Sequence, residues 1–424
     1  MLFLGPLFFF VYGLCNWHAS RLPAVPSYYY AWERRIPFVA ALILPYFSID
    51  LLYAGSVFVC RDRRELKTHA YRIVTAIVIS AVGFLLFPLK FAFERPAVDG
   101  AFGHLFGLLN GFDKPFNQAP SLHVSLLMIL WVRYANRLAG VWRWLLHIWF
   151  ALIGLSVLFV YQHHVIDIWS GFAVGVICLY ALPEAPRQWS GFAPTVDPQR
   201  RRLGFVYFAA ALVFAGLGAG FQSWAWLLLW PAVSLLLVAI AYGLAGPAVF
   251  QKLSGRQSWP ARILLAPYLF GAWVSYRLQT RARPASHQVV PGVYLGRLPR
   301  AGEWNHLATA AVLDLTAEFS ASPSTQPLIY FNIPLLDLTV PDPGALRTAV
   351  EFIDQHIKAG PVYVHCALGL SRSAAVVAAW MVRAKRFATA DDAFLHLKGI
   401  RPGVTWTAAH VTAISKSAIR DAHD

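Results

Sequence analysis

"PVYVHCALGLSRSAAVVAAWMV", residues 361–382, changes character twice within one short run. "PVYVHC" reads as a buried strand and "SAAVVAAWMV" as a helix, and a strand followed directly by a helix is a building unit of α/β domains. Between them, Cys366 and Arg372 bracket Ala367, Leu368, Gly369, Leu370 and Ser371. The N–H groups of such a loop, with the positive end of the following helix, form a cradle for a tetrahedral oxyanion. A cysteine in that field favours its thiolate, which can attack phosphorus. Arg372 offers a planar fork for two phosphate oxygens, Gly369 permits the tight backbone, and Ser373 can hydrogen-bond the sulfur and ease its departure. A lone cysteine is more often a small core residue. Here His365 before it, Gly369 within the loop and Ser371-Arg372-Ser373 after it favour phosphatase chemistry.

Outward from this loop, composition becomes that of a soluble domain from about residue 280 onward. "VYLG", "AVLDLT" and "LIYFNIPL" are further short strands, and 344–358 and 373–385 have helical periodicity. Over roughly 288–420 the chain resembles the dual-specificity branch of the cysteine-dependent protein tyrosine phosphatases. "PGVYLGRLPR" is similar to the family's opening strand, "AVLDLT" to its second, and "IPLLD" to the segment carrying the general acid. The resemblance implies that Asp337, 29 positions before Cys366, protonates the leaving oxygen and later activates water, with Asp342 as the fallback. It also implies a substrate with one phosphate, because relatives acting on multiply phosphorylated inositol lipids tend to carry Lys or Arg where Ala367, Leu368 and Leu370 stand. Lipid monoesters and phosphotyrosine both stay open.

The rest of the chain reads as membrane. Of 424 residues, 58% are hydrophobic and 13% charged, with mean hydropathy +0.52, far more apolar than a soluble protein of this length. A membrane crossing needs about 20 apolar residues, and eight segments qualify: 2–17, 36–59, 72–90, 119–136, 141–160, 164–183, 204–221 and 224–247. The first lacks a signal peptide's basic start and cleavage site, so it is expected to be retained. Tyr28, Tyr29, Tyr30, Trp32, Trp142, Trp144, Trp224 and Trp226 resemble interfacial belts. Basic connections (61–67, 133–143, 187–202) alternate, which predicts cytoplasmic termini, with Glu33-Arg34-Arg35 against the trend. The apolar run 263–274 is short and contains Pro267, so an interfacial or re-entrant helix is expected. The predicted division is a helical membrane domain to residue 250, a linker at 251–284 and an α/β domain from 285. Cys15, Cys60 and Cys178 lie in or beside apolar runs and form no disulfide framework. The formal charge of +15 suits anionic lipid or phosphate-bearing partners, and nothing indicates nucleic acid.

Ionisable residues within membrane segments are functional suspects. Three stretches stand out: Lys90 with Arg95-Pro96, "PSLH" (120–123) and "HHVID" (163–167). Counting crossings places all three on the outward face. His163 and Asp167 are four apart, so the carboxylate can accept one ring N–H and free the other nitrogen to attack phosphorus. His123, one turn into a helix capped by Ser121, can protonate the leaving alkoxide, and Lys90 and Arg95 can neutralise phosphate. His164 is the rival nucleophile without that spacing, while His18 and His147 read as ordinary packed or interfacial histidines. Over about 70–185 these motifs resemble the type 2 phosphatidic acid phosphatase superfamily, most closely its inositol-phosphorylceramide and sphingomyelin synthase-like branch. Four residues separate Lys90 from Arg95 where six are usual, "PSLH" replaces "PSGH", and Val157 follows Ser156 where an Arg is usual, so transfer between lipid and alcohol competes with hydrolysis.

The expectation is thus a polytopic helical bundle joined to a soluble dual-specificity phosphatase domain, in an inner or plasma membrane of bacterial type. The domain would face the cytoplasm and act through a phosphocysteine, while the outward site would act through a phosphohistidine. The expected partners are phospholipid, membrane and phosphoprotein, with no cofactor or metal. Two rival readings keep the bundle as a head-group phosphotransferase or as an inert anchor.

Overall fold

Helix lengths in the computed structural model, which describes residues 4–184, 193–220, 223–306, 309–325 and 328–418, follow where caps and prolines interrupt the apolar runs. Two compact units divide the chain, Met1–Pro186 and Arg187–Asp424. The first holds α1 (Leu4–Ser20), α2 (Ile43–Gly55), α3 (Arg63–Leu86), α4 (Gly100–Phe112), α5 (Leu122–Ala135), α6 (Gly140–Phe159) and α7 (Val165–Ala181). Asp62 caps α3 by accepting from the Glu65 N–H, and Ser121 caps α5 by accepting from the Val124 N–H at 3.3 Å.

Two differences from the sequence reading concern crossings. Among the described residues four helical segments are long and apolar enough to span a membrane: Arg63–Leu86, Gly140–Phe159, Pro198–Gly220 and Ala225–Phe250. Ala40–Gly55, Leu122–Ala135 and Val165–Ala181 are apolar but shorter, so the eight-span bundle is not reached by helix length. The second difference is α4, a short helix in the connection between the expected third and fourth crossings, where the sequence reading placed no helix.

Packing in this unit is close where glycine allows it. A Cβ at Gly171 of α7 would lie 2.5 Å from the Ser121 carbonyl oxygen, and one at Gly175 would lie 2.7 Å from Met128 Cβ, so α5 and α7 meet backbone to backbone as membrane helices with small residues do. The Ser125 hydroxyl, donating to Ser121 O at 2.9 Å and lying 3.0 Å from Gly171 O, closes that seam. Farther along, buried Arg133 pairs with Glu65 (3.2 Å) and Glu184 (2.8 Å), and Arg72 also reaches Glu184 (3.0 Å). Arg133 is therefore a structural ion-pair partner and not only a topological charge.

The second unit begins with α8 (Pro198–Gly220) and α9 (Leu229–Ile240), which is extended by a single π-helical turn over Ala241–Ala245. A small hairpin follows, β1 (Lys252–Leu253) against β2 (Arg256–Gln257), then α10 (Trp259–Leu264) and α11 (Ala266–Gln279), so the run 263–274 is broken at Leu265. The remaining strands are β3 (Ser286–Val290), β4 (Val293–Arg297), β5 (Ala311–Thr316), β6 (Ile329–Leu335) and β7 (Val362–Cys366), in sheet order β3-β4-β7-β5-β6. Within this sheet, among the described residues, only the β3–β4 pairing is antiparallel. Helices α12 (Pro343–His356), α13 (Arg372–Arg383), α14 (Ala390–Ile400) and α15 (Ala408–Ala418) complete the fold. Strands β5 and β7 are buried throughout, which is why they read as unbroken apolar runs.

One charge interrupts that core. Asp314 of β5 accepts from Lys252 Nζ (2.7 Å) and the Tyr330 hydroxyl (2.5 Å), and Lys252 also donates to Thr316 O (2.8 Å). Burial works against the carboxylate, yet Lys252 and the surrounding donors hold its pKa down to about 2. Because the folded value lies below the ordinary 3.8, this stabilisation is complete above about pH 4 and is lost as pH falls toward 2. Lys252→Met, which strands a buried carboxylate, is expected to cost about 3–5 kcal/mol at neutral pH. Thermal unfolding of the detergent-solubilised chain should show that deficit shrinking as pH drops from 4 to 2.

Candidate active sites

Strand β7, central in the sheet, delivers Cys366 to its carboxyl end and α13 begins at Arg372, so residues 367–371 must turn within one loop. Gly369 has φ +73°, and a Cβ there would meet the Gly296 carbonyl carbon and oxygen at 2.4 Å, so both conformation and space require glycine. The loop's carbonyls are held from outside. Ala367 O accepts from the Leu298 N–H (3.1 Å), Leu368 O and Gly369 O from Arg401 (3.1 and 2.9 Å), and Leu370 O from the Thr405 N–H (3.0 Å). With the carbonyls so fixed, the opposed N–H groups turn toward the concave side, where the Gly369 N–H already reaches Cys366 Sγ at 3.2 Å. Ser373 Oγ lies 3.3 Å from the same sulfur, and Ser371 Oγ lies 3.2 Å from His410 Nε2.

Arg372 is completely buried. Its guanidinium donates to Glu318 through both terminal nitrogens (2.7 and 3.1 Å), to Leu335 O (2.8 Å) and to Asp337 Oδ1 (2.8 Å). Burial opposes its charge, but Glu318 and Asp337 hold its pKa well above the ordinary arginine value. Asp337 stands on the loop after β6 with its side chain 40% exposed. Asp342, the fallback acid, instead caps α12, accepting from the Ala345 N–H at 3.0 Å, and its oxygen is spent there. His365 is buried between Trp304 and Tyr363, and burial pushes its imidazole pKa down, with Asp314 opposing.

A buried cysteine in an amide cradle, backed by an arginine that a glutamate and an aspartate share, coincides with a family match. The pattern of the dual specificity phosphatase catalytic domain matches residues 293–418. Those residues form a dual-specificity phosphatase domain. Human dual specificity protein phosphatase 5 is 32% identical over 133 residues, covering 29% of this chain and 34% of that protein. Mouse dual specificity protein phosphatase 12 is 35% identical over 130 residues, covering 28% and 38%. The chain spans between 21% and 38% of the length of the curated relatives it matches. Among solved structures, PTPMT1 in complex with PI(5)P is 21% identical, with 32% of this chain and 95% of that chain covered and a TM-score of 0.30. Tk-PTP in its active form is 22% identical, with 32% and 97% covered and a TM-score of 0.30.

Apart from the dual-specificity phosphatase domain, the first unit gathers its own polar cluster. The Ser121 N–H donates to Asp167 O at 3.0 Å, joining "PSLH" to "HHVID". His163 Nδ1 lies 3.5 Å from Asp167 Oδ2, a charge contact longer than a good hydrogen bond, and no donor or acceptor completes that nitrogen among the described residues. His163 also lines a small recess with Glu33, Phe91, Phe93 and Tyr161. His164 is fully committed: Nδ1 meets Glu33 Oε2 at 2.9 Å, Nε2 accepts from the Ala92 N–H at 3.1 Å, and the ring stacks on Phe91. His123 stacks on Tyr46 with ring centroids 4.4 Å apart, and its buried Nε2 has no hydrogen-bond partner among the described residues.

The two cations fare differently. Lys90 is exposed, and its ammonium makes no hydrogen bond or ion pair among the described residues. Arg95 is spent on Val160 O (3.1 Å), Asn110 Oδ1 (2.7 Å) and Tyr161 O (3.3 Å), so it braces the turn before His163 instead of standing free for phosphate. His147 accepts from Trp131 Nε1 at 2.7 Å, a packing role. Asp113, Glu318 and Arg401 were not singled out in the sequence, and Glu33 entered only as a charge against the topological trend. Asp113, which accepts from the Tyr12 hydroxyl at 2.6 Å, sits beside the cluster, and only the Glu in "TAEF" immediately after a strand hinted at Glu318.

Proposed function

We propose that this chain is a membrane-embedded phosphatase whose Cys366 site hydrolyses singly phosphorylated monoesters presented at a lipid surface. The carrying observation is the placement of Cys366 Sγ within reach of the Gly369 N–H, with Arg372 held in a Glu318–Asp337 bracket beside it. Substrate phosphate takes the Arg372 donor that Asp337 occupies, which frees Asp337 to take up a proton from solvent and face the leaving oxygen. Sulfur attacks phosphorus, the P–O ester bond breaks, and the Asp337 proton passes to the departing alkoxide. Water then attacks the phosphocysteine, Asp337 takes its proton, and Ser373 donates to the leaving sulfur.

Two features support, in turn, a single phosphate and a lipid surface. Ala367, Leu368 and Leu370 bring no cation to the cradle, and α11 exposes Phe270 and Trp273 with Arg277 lying over Trp273, the composition of an interfacial helix. A second reading adds a histidine phosphatase or phosphotransferase in the first unit, resembling the type 2 phosphatidic acid phosphatases. It is favoured by His163 lining the recess beside Asp167 while His164 is committed on both ring nitrogens.

The reconstituted full chain should release phosphate from phosphatidylglycerol phosphate, phosphatidic acid or phosphatidylinositol monophosphate with kcat/KM at least about tenfold above that for a bisphosphate, the scale a single mismatched group reaches in a pocket. Only vesicles exposing the cytoplasmic face should give Cys366-dependent turnover. A phosphotyrosine peptide outpacing every lipid would leave a tethered protein phosphatase.

A further inference from the structure

The acid-bearing turn of the phosphatase domain receives hydrogen bonds from the apolar hairpin α8–α9. Tyr242, in the π-helical turn that ends α9, is buried and its hydroxyl donates to the Asp337 carbonyl oxygen at 2.9 Å. Gln199, in the first turn of α8, donates through Nε2 to the Leu338 carbonyl at 2.7 Å. Leu338 itself has φ +56° and an exposed side chain, a left-handed conformation that a non-glycine residue keeps only with support from its surroundings. Two consecutive carbonyls on this turn are therefore gripped by two different helices, each long and apolar enough to cross a membrane.

The grip is built rigidly. A Cβ at Gly204 of α8 would lie 3.3 Å from Gly243 N, and Thr195 N–H donates to Gly243 O at 2.9 Å, so the base of α8 and the π turn are packed without slack. Tyr207 stacks at a tilt 5.4 Å from Tyr242, and the Tyr268 N–H of α11 donates to Ser234 of α9 at 3.2 Å. Single π-helical turns recur at functional positions because they displace one side chain from the helical register, and here the displaced region carries Tyr242.

We infer that Tyr242 and Gln199 are positioning residues for the general acid, so that the α8–α9 hairpin is part of the Cys366 active site and not merely its tether. This rests on the Cys366 reading above. The expected signature is leaving-group dependence, because only a poor leaving group needs the Asp337 proton. In the full chain, Tyr242→Phe should lower kcat for phenyl phosphate about tenfold, a fraction of what general acid catalysis supplies. It should leave KM unchanged and barely alter kcat for 4-nitrophenyl phosphate.

Gln199→Leu, acting from the other helix, should repeat the pattern, and neither change should cost anything further in an Asp337→Asn background. Tyr207→Phe, whose hydroxyl bonds Tyr268 and not the acid turn, is the control and should leave both substrates unaffected. No loss, equal loss on both substrates, or a loss that persists beside Asp337→Asn overturns the inference while the Cys366 reading stands. A wild-type chain without Cys366-dependent turnover removes both.

Discussion

Cys366→Ser is expected to abolish hydrolysis of aryl phosphates and of the Cys366 lipid substrate, by about 10⁴-fold or more, the scale on which removal of an enzymic nucleophile is felt. The substitution keeps the shape of the site. Cys366 is only 3% exposed, and the neighbours of its sulfur, the Gly369 N–H and the Ser373 hydroxyl, can both bond an oxygen. What is lost is nucleophilicity, since a serine hydroxyl has no base beside it here. His365 is buried with its ring turned between Trp304 and Tyr363, and Asp337 is occupied by Arg372. The variant should still bind phosphate and retain substrate, so equilibrium binding with unchanged affinity beside absent turnover is the diagnostic pair. Full turnover of an aryl phosphate by the serine variant would dismiss the thiolate mechanism outright.

The loop from Cys366 to Arg372 was legible because its chemistry is contiguous: strand, cradle and helix are consecutive residues, and no tertiary information is needed to place sulfur beside amides. Glu318 and Arg401 were not, since each acts across the fold. Glu318 reaches Arg372 only because β5 lies beside β7, and Arg401 reaches Leu368 and Gly369 only because α14 ends beside the loop. A charge without its partner reads as surface. The same blindness made Glu33 a topological nuisance and Arg133 a loop charge, whereas one bonds His164 and the other sits buried between Glu65 and Glu184.

Apolar length was the more deceptive signal. The run 119–136 is long enough on paper, yet Ser121 caps the helix and it extends only over Leu122–Ala135. Helices α8 and α9 keep the apolar length of membrane spans, and the compact unit that contains them begins at Arg187 and includes the whole phosphatase domain. Tyr242 and Gln199 carry that association, and neither residue type announces a partner in sequence.

On the proposed histidine reading, His163→Ala should remove the activity of the first unit as completely as Cys366→Ser removes that of the second, by about 10⁴-fold or more, because among the described residues no neighbouring group can substitute as nucleophile. His164 lies next in sequence, but its two ring nitrogens are held by Glu33 and by the Ala92 N–H. His123 is stacked on Tyr46, at the position suited to the leaving-group proton. The cost to folding should be slight, since Asp167 keeps the His164 N–H at 2.8 Å and its own carbonyl keeps the Ser121 N–H. His164→Ala makes the contrast, stranding buried Glu33 and lowering stability through the penalty of an unpaired internal charge. The decisive preparation is the Cys366→Ser chain given radiolabelled lipid phosphate. A phosphoenzyme that is labile in acid and stable in base marks histidine, and it should vanish when His163→Ala is added. Its decay then separates hydrolysis from transfer: free phosphate means that water resolves the intermediate, and a phosphodiester lipid means that an alcohol does. A Cys366→Ser chain that never acquires label and turns over no lipid would reduce the first unit to an anchor, leaving Cys366 as the protein's single phosphoryl-transfer centre.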